Sequence, residues 1–93
     1  MKTIALQVIP GDFPLDYRQV LMDVLRRPSD PQQGIGLDEM RKSIRVMDAL
    51  DMANGEVTLE DADYDHLRAK LLAMRWNTAD RRIVQLVDDV SSA

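Results

Sequence analysis

Asn54-Gly55 separates two periodicities that no single regular element can hold. Before it, Leu37, Met40, Ile44, Met47 and Leu50 recur at three- and four-residue steps, the stripe of an amphipathic helix running from about Leu37 to Ala53. After it, Glu56-Val57-Thr58-Leu59 alternates, with Val57 and Leu59 on one side, as a short strand does. Asn-Gly is a natural left-handed stop between the two. A strand leaves a row of backbone groups unpaired unless another strand takes them. Only one other stretch alternates: Ile4, Leu6 and Val8 against Thr3, Ala5 and Gln7, ended by Pro10-Gly11. Residues 3–9 are therefore expected to pair with residues 56–59. A two-stranded ribbon is weak alone, so helices must cover one of its faces.

The remaining elements read as helices. Tyr17, Val20, Leu21, Val24 and Leu25 form a stripe, Asp16 with Gln19 reads as a capping box, and Pro28 stops the helix. Residues 28–36 are a loop by composition. Its Gly34-Ile35-Gly36 is no phosphate cradle, since no strand leads into it and no Lys-Ser/Thr follows. Asp61 is expected to cap a third helix with Tyr64, Leu67, Leu71 and Met74 inward. Asn77 is expected to cap a fourth, with Asp80 in its first turn and Ala79, Ile83, Leu86, Val87 and Val90 inward. The expected fold is a single α+β domain spanning 1–93, mostly helical, with about four helices and one small two-stranded ribbon.

Charge restricts the partners. Residues 48–65 contain Asp48, Asp51, Glu56, Glu60, Asp61, Asp63 and Asp65 and no Lys or Arg, while the whole chain carries −4. An acidic centre argues against a DNA-backbone binder, which needs a basic stripe to displace counterions. Arg41, Lys42, Arg45, Arg81 and Arg82 are the residues such a role would use. The acidic segment suits a basic protein partner instead. The absence of Cys removes disulfides and thiolate metal sites and suits a reducing cytoplasm. No apolar run approaches the roughly 18 residues of a membrane span, and the N-terminal MKTIALQVIP is too short and too polar at Gln7 for a signal core.

The segment LDMANGEVTLED, residues 50–61, has the outline of a calcium-binding EF-hand loop. That loop takes side-chain oxygens at positions 1, 3 and 5, Gly at 6, an apolar residue at 8 and a bidentate carboxylate at 12. With Gly55 at position 6, Asn54, Val57 and Asp61 fall correctly, but Leu50 and Met52 occupy positions 1 and 3 and supply no oxygen. Asn54 and Asp61 are the only ligand candidates left. A helix end, a turn and a strand account for the same residues, and no metal or other cofactor is expected.

Few other residues carry chemistry. His66 is the only histidine, and no Cys or Ser lies within reach of it by sequence, so it reads as a boundary residue of the third helix. Asp61, Asp63 and Asp65 offer a paired-carboxylate site, but capping and the helix dipole account in full for Asp61 and Asp63. Asp88-Asp89 lies near a helix C-terminus, where the dipole disfavours it; a basic partner, or an ion pair with Arg81 or Arg82, would offset that cost. Trp76 reads as packing between two helices, or as an interface anchor. Met40, Met47 and Met74 fall on apolar stripes, whereas Met22 and Met52 lie off them and suit an adaptable docking surface.

From Glu39 to Asp89 the chain sets out a charged helix, a Gly turn, the strand EVTLED, a helix and a closing helix ending near LVDDV. This layout, with the leading strand, resembles that of small accessory proteins of tailed bacteriophages and prophages. The resemblance implies a role in morphogenesis or host interaction, in the cytoplasm of a bacterial host, and brings no catalytic residues with it. The expectation is a non-enzymatic protein-interaction module. It would bind through Asp48, Asp51, Glu60, Asp61, Asp65, Trp76, Asp88 and Asp89, or through an apolar patch shared in a homodimer. A calcium-responsive protein and a nucleic-acid regulator are the alternatives.

Overall fold

The computed structural model describes all residues 1–93. Its elements in chain order are β1 (Lys2–Ala5), β2 (Val8–Ile9), β3 (Leu15–Asp16), α1 (Tyr17–Arg26), α2 (Leu37–Met52), β4 (Glu56–Leu59), α3 (Asp61–Ala73) and α4 (Arg81–Ser91). The α+β, mostly helical architecture matches the sequence reading. So does the ribbon: β1 pairs antiparallel with β4, placing Ile4 opposite Val57 and Thr3 opposite Thr58. Ile4, Val57 and Leu59 are buried, while the Thr3 and Thr58 hydroxyls hydrogen-bond at 3.0 Å on the outer face.

The expected strand over 3–9 is two strands. β4 offers only four residues, and Gly55 at its start turns away with φ +74°. The Leu6 amide donates to the Gly55 carbonyl at 2.8 Å, and there the ladder with β4 ends. The chain then bends, and Val8-Ile9 pairs with Leu15-Asp16 as a second small sheet that delivers Asp16 to the start of α1. Asp16 caps that helix, accepting from the Arg18 amide at 3.0 Å.

α1 is the central helix. Tyr17, Leu21, Met22, Val24 and Leu25 are all buried, so Met22 is a core residue and not part of a docking surface. α4 begins later than expected: Asp80, not Asn77, is the cap, accepting from the Arg82 amide at 2.9 Å, and Ala79 is exposed. Residues 74–80 instead form a non-helical connection. Asp61 is the first residue of α3 and not its cap, which is Glu60. Two tyrosines hold the C-terminal end of α4: Tyr17 Oη donates to Asp89 Oδ2 at 2.7 Å, and Tyr64 Oη donates to the Val90 carbonyl at 2.6 Å. Burial, together with the Asp89 carboxylate, pushes the Tyr17 phenol up to about 12, so it keeps its proton and remains a donor.

A Cβ at position 55 would meet open space, so the only cost of Gly55→Ala is its left-handed backbone. The substitution should lower unfolding free energy by about 1 kcal/mol in urea titrations; an unchanged midpoint would mean the turn does not restrain the ribbon.

Candidate functional site

The residues with chemistry gather where α2 meets α3. Glu39 and Ser43 are four apart on α2, and His66 and Lys70 are four apart on α3. The helices run in opposite directions, so the two i,i+4 pairs meet in register. Lys70 Nζ lies 2.8 Å from Glu39 Oε2 and donates also to the Arg27 carbonyl at the end of α1. Ser43 Oγ and His66 Nε2 are 2.9 Å apart. The Ser29 amide adds a 3.3 Å bond to Glu39 Oε2. The Lys70 side chain is only 4% exposed, and its charge is tolerated because the Glu39 carboxylate and the Arg27 carbonyl are both in place to accept from it. The hydrogen bond from Lys70 holds the Glu39 carboxyl below its usual range, outweighing partial burial. Burial lowers the His66 imidazole below its usual 6.5, reinforced by Lys70 and Lys42 and opposed by Glu39 and Asp63.

The fold thus places a serine in reach of the only histidine, across 23 residues. The matched spacing of the two pairs was the signal in the sequence. The geometry does not make a working nucleophile. Ser43 is buried at 3% exposure, and the hollow beside it is lined by Asp38, Glu39, Lys42, His66 and Lys70 but not by Ser43. No carboxylate hydrogen-bonds the second imidazole nitrogen, the orienting contact a triad requires. The cluster is a polar clamp between two helices.

The EF-hand outline dissolves into other contacts. Leu50 is wholly buried and Met52 is 85% exposed. The Ala53 carbonyl accepts from the Arg18 guanidinium, and the Gly55 carbonyl accepts from Leu6. Asn54 is exposed, and the Asp61 carboxylate lies 3.1 Å from the Met1 amino nitrogen. No group of three or more His, Cys, Asp or Glu side chains is arranged to hold a metal ion.

The inward face of α2 keeps Met47 and Leu50 of the expected stripe but not Leu37, Met40 and Ile44. Its inward residues are Ser43, Val46 and Leu50, with Glu39, Met47 and Ala49 half-buried. Leu37, Met40 and Ile44 are 61%, 42% and 47% exposed. They form an i, i+3, i+7 row, and one to two turns on, Asp48 and Asp51 continue the same face, both exposed. Of the other acidic candidates, Glu60, Asp65 and Asp88 are exposed. Asp89 is engaged by Tyr17, which explains its position near a helix C-terminus; no ion pair with Arg81 or Arg82 forms. Trp76, 37% exposed, lies in the α3–α4 connection, apart from α2 in the chain. Three of the five basic residues considered for phosphate contact are engaged: Lys42 with Asp38, Arg45 with Asp63, and Arg82 with Asp80.

The depressed His66 gives a pH signature. The unfolded chain binds a proton near 6.5 that the folded chain resists, so stability is full above 6.5 and falls as pH drops below it. Urea midpoints should decline between pH 7 and pH 5.5, and His66→Gln should flatten that decline. Equal slopes in the two proteins would remove His66 from the clamp. Comparison of the chain with models of known families, with curated proteins and with solved structures finds no match in any of the three.

Proposed function

We propose that the chain is a small, non-catalytic protein-interaction module that docks its partner on the outer face of α2. The observation that carries this reading is the row Leu37, Met40 and Ile44, whose side chains remain in water on a helix whose other face supplies the core. Exposed large apolar residues scattered singly need no explanation, but three in helical register make a stripe of the kind an amphipathic partner covers. Asp48 and Asp51 extend the stripe with negative charge. A complementary partner therefore presents apolar residues followed by Lys or Arg. The resemblance of its layout to that of small phage and prophage accessory proteins supports an assembly or host-directed role for this contact.

Ile44→Glu tests the reading without touching the core. Its effect on unfolding free energy should stay within about 0.5 kcal/mol, as for surface substitutions generally. Affinity capture from a bacterial host lysate should yield proteins with the unchanged chain that the variant does not retain, and Asp48→Lys with Asp51→Lys should weaken the same capture. Identical captured proteins in all three would contradict the assignment. Light scattering separates the partner classes: a dimer that Ile44→Glu dissociates would assign the stripe to a second copy of this chain.

A further inference from the structure

We infer that a second, positively charged groove, between α1 and the connection from α3 to α4, is a docking site for a short peptide segment that carries carboxylates beside apolar side chains. The inference is independent of the α2 face and lies on other residues. Two hollows, of about 300 Å³ and about 130 Å³, share Val24, Arg27, Met74 and Arg75, and so form one continuous groove. α1 supplies Val20 and Val24 as its floor. Pro28 and Pro31 wall one end, and Trp76 and Asn77 close the other. The groove exists because α3 stops at Ala73 and α4 starts only at Arg81, so the intervening chain passes over α1 instead of continuing as helix.

Charge selects the occupant. Arg27 and Arg75 line both hollows, are exposed, and make no ion pair or side-chain hydrogen bond within the chain. Lys70 stands in the wall of the larger hollow, held in place by Glu39 and the Arg27 carbonyl. The only carboxylate lining either hollow is Asp23, and Arg26 engages it at 3.3 Å. A concave site with two free guanidinium groups, in a chain of net charge −4, is unbalanced positive charge kept locally. Guanidinium groups take carboxylates in paired, directional hydrogen bonds. Between the cations lie the half-buried Val20 and Met74 over the buried Val24, with the Trp76 ring at one edge. Met adapts its shape to a partner side chain, and Trp provides rigid contact area with a polar tip. Two free cations are too few for a nucleic-acid strand, which needs a long basic track.

The test is a selection from a random peptide display library against the intact chain and against the Arg27→Glu/Arg75→Glu variant. Both side chains are free of internal partners, so the variant should keep the far-ultraviolet circular dichroism and urea midpoint of the parent. Peptides enriched on the parent should contain Asp or Glu next to aliphatic or aromatic residues. They should bind the variant at least roughly tenfold more weakly, a loss of the size expected for charge-assisted contacts. Trp76 is the only tryptophan, so binding in the groove should also shift its emission. Ile44→Glu should leave this binding intact, which separates it from the α2 face. Absence of enrichment, enrichment of neutral or basic peptides, equal binding to the variant, or tighter binding of an oligothymidylate to the groove would each overturn the inference.

Discussion

The ammonium group of Lys70 is the contact on which three helices depend. A buried lysine without a partner would lose its proton or unfold its surroundings. Here it is bonded to the Glu39 carboxylate in the first turn of α2 and to the carbonyl of Arg27, where α1 has just ended. Both contacts are electrostatically sensible: a helix C-terminus presents unsatisfied carbonyls, and a first-turn carboxylate is favoured by the dipole. One side chain on α3 therefore fixes the end of α1 and the start of α2 together. The Ser43–His66 pair, one turn along, repeats the arrangement in neutral form. With these polar contacts in place the apolar residues of the three helices have one register, not several.

The closing helix is held by a different device. α4 packs Leu86 and Val90 into the core, yet its C-terminal end is anchored by two phenols from α1 and α3. The bond from Tyr17 resolves an apparent conflict in the chain. Asp89 lies where a helix disfavours negative charge, but its carboxylate accepts from a phenol that burial keeps protonated. The cost at the helix end is offset by a charge-assisted hydrogen bond across the core.

Local signals proved sufficient for some elements and not for others. The left-handed turn at Gly55, the Asp16 cap, the Pro28 break and the pairing of Ile4 with Val57 all follow from neighbouring residues and from the need of two strands for one another, although α2 itself ends earlier, at Met52, with Ala53 extended. The break at Leu6 was hidden, because alternation continues through Val8 while the partner strand runs out at Gly55. The phase of α2 was hidden too. Of the expected stripe, Leu50 is buried and Met47 half-buried, but Leu37, Met40 and Ile44 stay exposed, and Ser43 and Val46 complete the inward face in their place. The reason lies on α3, in His66 and Lys70, and long-range polar pairing leaves only a faint trace in local periodicity. The consequence is functional, since the stripe that core packing does not use is the one available to a partner. The groove over α1 was likewise invisible, because it follows from Asp80, not Asn77, capping α4.

Lys70 and Glu39 act as a coupled pair that sets the junction of α1, α2 and α3. A double-mutant cycle measures that directly: urea unfolding of the parent, Lys70→Met, Glu39→Gln and the double variant. Each single change should cost on the order of 2 kcal/mol or more, because it leaves a buried partner unsatisfied, and the double variant should cost less than the sum, with a coupling of about 1.5–3 kcal/mol. Additive losses, with coupling near zero, would contradict it.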